Sequence, residues 1–261
     1  MSATSAFNWT LRRDRVVVAG TLAIAVTTAW TYILLGAGMD VTIDESMGGM
    51  MMPMAWTPGL FVLMLVMWSA MMMAMMLPSA APMILLFATI HWRRGAAKGR
   101  HRSVPAFVAG YVAIWVGFSV LASCVQLMLD DALLLSSTMA SRSTVLASAL
   151  LFAAGIYQLT PLKLRCLRQC RSPLEFLSER WRNGTNGAFI MGLQHGLYCL
   201  GCCWVLMCLL FVGGLMNLAW VAGLAIYVAL EKIGPAGPLL SRLAGAGLIA
   251  WSAVLLLRST A

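Results

Sequence analysis

Three cysteines and a histidine share one face of a predicted helix in the segment "GLQHGLYCLGCCW". At about 100° per residue, His195, Cys199 and Cys202 project within a sector of roughly 60°, with Cys203 about 40° further round. Thiolates and imidazole suit copper(I), zinc or an iron centre, and they serve hard cations poorly. This face predicts a metal or redox site, although cysteines that merely pack beside glycines are also ordinary in helical bundles.

A second cysteine pair, Cys166 and Cys170, lies in the basic segment "PLKLRCLRQCR". The two are four residues apart, so they share a face if a helix continues past Pro161. Neighbouring positive charges favour the reactive thiolate form, and a reducing compartment would disfavour a disulfide. Two interpretations stay open: metal ligands, or two cysteines that pack a helix end.

Methionines are concentrated in one predicted loop and one predicted span. Fourteen of the 20 methionines lie between Met39 and Met83, which general hydrophobicity does not explain. Thioethers are uncharged, easily buried and soft, so they bind copper(I) where carboxylates would be costly to bury. Methionine is also flexible core filler, so packing remains the alternative for any single residue. The copper path predicted from this pattern comprises Met47, Met50, Met51, Met52, Met54, Met64, Met67, Met71, Met72, Met75 and Met76.

Other polar residues stand in apolar segments. Glu231, in "VALEKIGP", is either a functional acid inside the bilayer or an anchor at its surface beside Lys232. Tyr157 and Gln158 are further polar groups that a buried site could use.

The composition predicts an all-α, polytopic transmembrane helical bundle. The 261 residues are 61% hydrophobic and 10% charged, with a mean hydropathy of +0.85, far from a soluble domain. The first span is expected to be an uncleaved helix. Seven spans are predicted, or six if "VGGLMN" does not turn at the membrane surface. They are residues 16–36, 59–88, 104–128, 144–162, 188–212, 215–233 and 243–258.

Basic residues predict the orientation of these spans. Alternating the loops places 16 of the 18 lysines and arginines on one side, so the positive-inside rule puts the N-terminus in the cytoplasm. Basic loops against anionic membrane lipid explain the net charge of +9 without a nucleic-acid partner.

We predict one transmembrane domain over residues 1–261. It contains a Met-rich external loop at 37–58 and a basic cytoplasmic loop at 163–187 with a short amphipathic helix. Ser172 is the expected N-cap of that helix, with Glu175 completing a capping box. Pro78 and Pro82 are expected to kink or break the long second span.

Several motifs together resemble the bacterial domain-of-unknown-function family 2182, described as predicted metal-binding integral membrane proteins. They are "WSAMMMAMMLPSAAPM", "GYVAIW", "YQLTPLKLRCLRQCRSP", "QHGLYCLGCCWVLMCLLFVGGLMNLAW" and "ALEKIGP". The resemblance implies a multi-pass protein of the bacterial inner membrane with a metal site. Its candidate ligands fall on Cys166, Cys170, His195, Cys199, Cys202 and Cys203, with Met71 to Met76 matching its second-span motif.

The leading hypothesis is a membrane protein that transports or delivers copper through Met and Cys/His ligands, with a metal-donating or metal-receiving protein as partner. Zinc or iron are the other metals considered. Such transfer needs no catalytic base, so an enzymatic function is not the favoured interpretation of the sequence. One alternative is a membrane oxidoreductase with a redox metal at the Cys/His site, and another is a structural subunit of a larger membrane complex.

Overall fold

The computed structural model describes residues 3–36, 57–93, 100–135 and 139–260. Within these ranges the chain forms ten α-helices and no strand beyond one isolated bridge between Leu135 and Ser141, so the prediction of an all-α fold is confirmed. Met47, Met50, Met51, Met52 and Met54 of the predicted copper path lie outside the described residues. The helices are α1 (Ala3–Leu34), α2 (Pro58–Arg93), α3 (Arg100–Asp131), α4 (Thr144–Leu159), α5 (Pro161–Arg171), α6 (Pro173–Arg180), α7 (Gly184–Cys208), α8 (Leu210–Gly213), α9 (Leu218–Ile233) and α10 (Gly237–Thr260).

Several of these helices are long and apolar enough to cross a membrane. Five meet that description among the residues described, and the bent pair α4 and α5 makes six. The predicted span at 215–233 corresponds to α9, whose 16 residues reach only about 24 Å. Because a hydrocarbon core is about 30 Å thick, the count of seven stays a prediction.

Helix α2 lies at the centre of the bundle and carries most of the buried methionines. Around it, α3 packs closely on α7 because both present glycine at the crossing. A Cβ added at Gly192 would lie 2.0 Å from the carbonyl oxygen of Phe107, and one at Gly110 would lie 2.2 Å from that of Phe189. This close crossing holds the cysteine face of α7 against the interior.

The predicted break at Pro78 and Pro82 is absent, because α2 is continuous through both prolines. Prolines are tolerated in membrane-spanning helices where the surroundings compensate for the lost backbone bonds. In this stretch the carbonyl oxygen of Met76 accepts from Ser79 Oγ at 2.9 Å and from Tyr111 OH of α3 at 3.2 Å.

The sharp bend comes instead between α4 and α5, which meet at 65°. Thr160 accepts a hydrogen bond from the backbone nitrogen of Lys163, and Pro161 occupies the first turn of α5. Helix α6 lies where a short helix was predicted, and its amphipathic character stays a prediction. Ser172 makes no side-chain capping hydrogen bond, so the predicted capping box is wrong. The Ser172 backbone departs from the extended conformation usual for an N-cap, with φ −114° and ψ 67°.

Candidate metal centre

The cysteine face of α7 meets the methionines of α2 in the middle of the bundle. Cys203 Sγ lies 3.8 Å from Met76 Sδ, and both side chains are fully buried. Cys202 and Cys203 also donate to the carbonyl oxygen of Cys199, each at 3.0 Å. Two features that the sequence predicted separately, the methionine series and the cysteine face, therefore share one interior position.

A fourth thiol joins them from α5. Cys170 lies beside Cys199 and Cys202, because the bend after α4 brings α5 against α7. Cys166, one turn earlier, instead places its sulfur over Gly201, where an added Cβ would lie 2.8 Å from Sγ. We call Cys170, Cys199, Cys202 and Cys203, together with the Met76 thioether, the thiol cluster.

A buried lysine reaches into the thiol cluster from the end of α9. Lys232 Nζ lies 2.9 Å from Cys199 Sγ, 3.7 Å from Met76 Sδ and 3.2 Å from Ser79 Oγ. Within the described part of the chain, these three are the hydrogen-bond partners of Lys232, and none of them is a carboxylate. The site therefore already places two sulfur atoms and a hydroxyl around one positively charged group.

Tyr111 closes the same site from α3. Its hydroxyl lies 3.0 Å from Cys199 Sγ and 3.2 Å from the carbonyl oxygen of Met76. Either the phenol or the thiol can be the donor between Tyr111 and Cys199. Cys199 thus has two polar neighbours, the Lys232 ammonium and the Tyr111 hydroxyl.

His195 lies on the same helix face but among aromatic rings. Its ring packs with Phe107, Tyr111 and Phe176 at centroid distances of 6.2, 5.7 and 5.6 Å. It is 3% exposed, and no described residue hydrogen-bonds to its Nδ1. The structure therefore brings Cys170 to the cysteines of α7 more directly than His195.

The other predicted methionines of α2 are all buried, so this part of the predicted path runs inside the bundle. Met67 and Met71 line a cavity of about 110 Å³ together with Met216 from the connection between α8 and α9. The methionines of α2 that the path includes are Met64, Met67, Met71, Met72, Met75 and Met76.

A charged framework lies beside the thiol cluster. Lys163 of α5 donates to Glu231 of α9 at 2.5 Å, and both side chains are fully buried. Tyr227 donates to the same carboxylate oxygen at 3.3 Å and accepts from Gln158 at 2.9 Å. Glu231 is therefore an interior residue rather than an exposed anchor, and its pair joins the helices that carry Cys170 and Lys232. Tyr157 instead donates to the carbonyl oxygen of Gly201.

The donor chemistry of the thiol cluster fits a soft ion. Sulfur ligands of zinc lie about 2.3 Å from the metal. At that distance, two sulfurs on one ion are about 3.8 Å from each other in tetrahedral geometry and about 4.6 Å in linear geometry. The 3.8 Å between Cys203 and Met76 falls at the short end of this range. Among the residues that the structure describes, no three His, Cys, Asp or Glu side chains form a ready metal site. A ligand set here therefore has to include the Met76 thioether or a rearranged thiol.

Sequence reasoning did not find two residues of this site. The sequence indicated Lys232 only as a neighbour of Glu231, and it indicated Tyr111 only as part of the motif "GYVAIW". A lysine at the end of an apolar run, "YVALEK", was the one available signal for Lys232. For Tyr111 the signal was the motif "GYVAIW", which does not indicate the contact with Cys199 across 88 residues of sequence.

The fold and the site define a helical bundle of the membrane-spanning type, with a sulfur-rich centre in its interior. Comparison with known families is consistent with this class, since the family model "PpoB2: Copper chaperone" matches residues 65–255. The match covers well over half of the chain, so the protein belongs to the PpoB2 copper-chaperone family. The family is metal-related, as the sequence resemblance implied, whereas the family number drawn from that resemblance stays a prediction. No curated protein and no solved structure matches the chain.

Proposed function

We propose that this protein binds copper(I) in the thiol cluster and passes it to a partner protein, from a position inside the bacterial inner membrane. The observation that carries the proposal is the meeting of Cys203 Sγ and Met76 Sδ at 3.8 Å beside Cys199. Membership in a copper-chaperone family supports copper as the cargo. Soft sulfur ligands support copper(I) over harder ions, with zinc and iron as the less favoured metals.

The ligand set follows from distance and chemistry. Cys199, Cys203 and Met76 are the candidate first ligands, since Met76 Sδ contacts Cys203 and both Cys199 and Met76 face Lys232 Nζ. Cys202, whose thiol donates to the carbonyl oxygen of Cys199, and Cys170, beside it on α5, offer the thiols to which the ion can next move. Exchange between neighbouring sulfurs of similar softness allows an ion to be held and then released. Cys166 and His195 lie beside this set.

Charge balance gives Lys232 its role. Copper(I) bound by two thiolates carries one net negative charge, and an uncompensated charge in the interior costs several kcal/mol. The Lys232 ammonium, 2.9 Å from Cys199 Sγ, supplies the opposite charge. We therefore assign Lys232 as the counter-charge of the loaded site, held in place by the neighbouring Lys163–Glu231 pair.

The basic connection between α4 and α7, which consists of α5 and α6, is a suitable place for delivery of copper to a partner protein. Cys170 lies on the short helix α5, which ends at Arg171, and α6 follows with Arg180 in its last turn. Arg171 bonds the carbonyl oxygens of Glu231 and Gly234 at 2.6 and 2.7 Å, so α5 is fixed to the end of α9. A copper ion that moves from Cys199 to Cys170 thereby moves toward this end of the bundle.

The test is anaerobic titration of the purified protein with copper(I) against a chromophoric chelator, with a reductant present. The wild-type protein is expected to bind one copper(I) tightly. Cys199→Ser is expected to weaken binding by about 100-fold or more, since even outer-shell changes cost about 10–100-fold. Cys208→Ser, at the end of the same helix, is the matched control and should bind like wild type. Equal copper(I) affinity in both variants would refute the proposed site.

A further inference from the structure

A second group of sulfur atoms converges near the beginning of α2, away from the thiol cluster at the middle of the helix. The amide nitrogen of Gln126 on α3 lies 3.4 Å from Met64 Sδ and 3.3 Å from Met139 Sδ. Met139 belongs to the connection between α3 and α4 and was not among the predicted ligands. We call Met64 and Met139 the thioether pair.

The orientation of the amide is fixed by a third residue. Trp68 Nε1 donates to Gln126 Oε1 at 2.7 Å, so the amide nitrogen, with its protons, is the atom that faces both sulfurs. Both thioethers therefore direct a lone pair at one positively polarised group. Gln126 is 2% exposed and Trp68 is fully buried, so this is an interior arrangement.

The backbone holds Met139 in an unfavourable conformation. Its φ is +56°, in the left-handed region that residues other than glycine, asparagine and aspartate rarely adopt. Leu133 has the same φ but is exposed. The chain after Met139 is pinned by Ser141, whose backbone nitrogen donates to the carbonyl oxygen of Phe211 at 2.7 Å. Conformations of this kind persist where surrounding structure imposes them, and they cluster at functional sites.

We propose that the thioether pair is a second, weaker site for a soft monovalent cation, through which copper(I) enters the protein. This inference rests on the proposed function for its cargo. The ion replaces the Gln126 amide as the shared partner of the two sulfurs, so the two N–H···S hydrogen bonds are lost and no covalent bond is made or broken. Two neutral thioethers hold copper(I) less strongly than thiolates do, which suits a site that must pass its ion on.

The position of the pair supports this role. Met64 precedes Met76 by twelve residues on one continuous helix, a distance of about 18 Å along the axis. Met67, Met71, Met72 and Met75 occupy the buried turns between them. The cavity lined by Met67, Met71 and Met216 adjoins this stretch, so sulfur atoms are available along the interval.

The experiment uses silver(I), a soft cation without redox chemistry, and a full-length protein in which Cys170, Cys199, Cys202 and Cys203 are serine. This background removes the tight site, so its result does not depend on the proposed function. We expect one weakly bound silver(I) in it. Met64→Leu and Met139→Leu, which roughly conserve side-chain volume, should each weaken that binding about tenfold or more. Met128→Leu, at an exposed methionine of α3, should leave it unchanged.

A second measurement checks the site directly. Silver(I) should shift the nuclear magnetic resonance signal of the Trp68 indole N–H, because its acceptor Gln126 must move, and Met139→Leu should abolish the shift. Unchanged silver(I) binding in both Met64→Leu and Met139→Leu would overturn the inference, as would a Trp68 signal that silver(I) does not move. If the wild-type protein does not bind copper(I) tightly, the proposed function is refuted, and the silver(I) result for the thioether pair is unaffected.

Discussion

The thiol cluster and the thioether pair both surround an N–H donor with sulfur, yet they differ in charge. In the thiol cluster the donor is the ammonium of Lys232, and the sulfurs include thiols that can become thiolates. In the thioether pair the donor is the neutral amide of Gln126, and both sulfurs are thioethers. The same helix, α2, contributes one methionine to each. From this difference we expect the thioether pair, near the beginning of α2, to bind a soft ion more weakly than the thiol cluster at the centre of the helix.

The largest predicted contrast is in pH dependence. Thiols must lose protons to bind a metal, whereas thioethers have none to lose. Tight copper(I) binding should therefore weaken as the pH falls from about 7 to 5, by about tenfold per pH unit for each proton released. Silver(I) binding to the thioether pair, in the serine background, should change less than about twofold. Chelator competition across this pH range measures both, and equal slopes would contradict the assignment of the two sites.

The next contrast concerns the counter-charge. Lys232→Met removes the positive charge beside Cys199, and we expect copper(I) affinity at the thiol cluster to fall about 10–100-fold. Lys232→Arg should recover part of the loss because it keeps the charge. The silver(I) affinity of the thioether pair should not change in either variant. Copper(I) affinity that rises in Lys232→Met would show that the lysine competes with the ion instead of balancing its ligands.

Removing the polar side chains that support each site should also destabilise the protein to different extents. Lys163→Met leaves Glu231 buried without its partner and should cost about 3–5 kcal/mol of unfolding free energy. Gln126→Leu leaves the Trp68 N–H without an acceptor and should cost about 1–3 kcal/mol. Unfolding curves of the two variants in the same detergent compare them. A smaller loss in Lys163→Met would contradict the account of a charged framework at the thiol cluster.

The smallest effect is expected between the two sites. Met71→Leu removes one thioether from the buried stretch while roughly keeping its volume. Both equilibrium affinities should stay within about twofold of wild type, and the rate at which added copper(I) reaches the thiol cluster should fall. Stopped-flow mixing with the copper-loaded chelator measures that rate. A lower affinity at the thiol cluster would place Met71 among its ligands.

Much of this arrangement could be predicted from sequence because it depends on local periodicity. The spacing of Cys199, Cys202 and Cys203 fixes their shared face whatever the neighbours are, and apolar runs fix the long helices. The predicted break at Pro78 and Pro82 does not occur, because the tolerance of a proline depends on the structure around the helix, which the sequence of one segment does not reveal.

The residues that complete each site could not be predicted, since their contacts join distant parts of the chain. Lys232 lies 156 residues from Met76, and Gln126 lies 62 residues from Met64. Periodicity within one segment carries no information about which helix packs beside it. Met139 lacked even a helical pattern, because it belongs to a connection between helices.

The most direct test of the central claim is X-ray absorption at the copper edge on wild-type protein loaded with one copper(I) per chain. A site made of Cys199, Cys203 and Met76 predicts a first shell of sulfur alone, with about three scatterers near 2.3 Å. Cys199→Ser should remove a sulfur scatterer from that shell, and Cys208→Ser should leave it unchanged. A first shell that contains nitrogen from His195, or that is identical in both variants, would contradict the account.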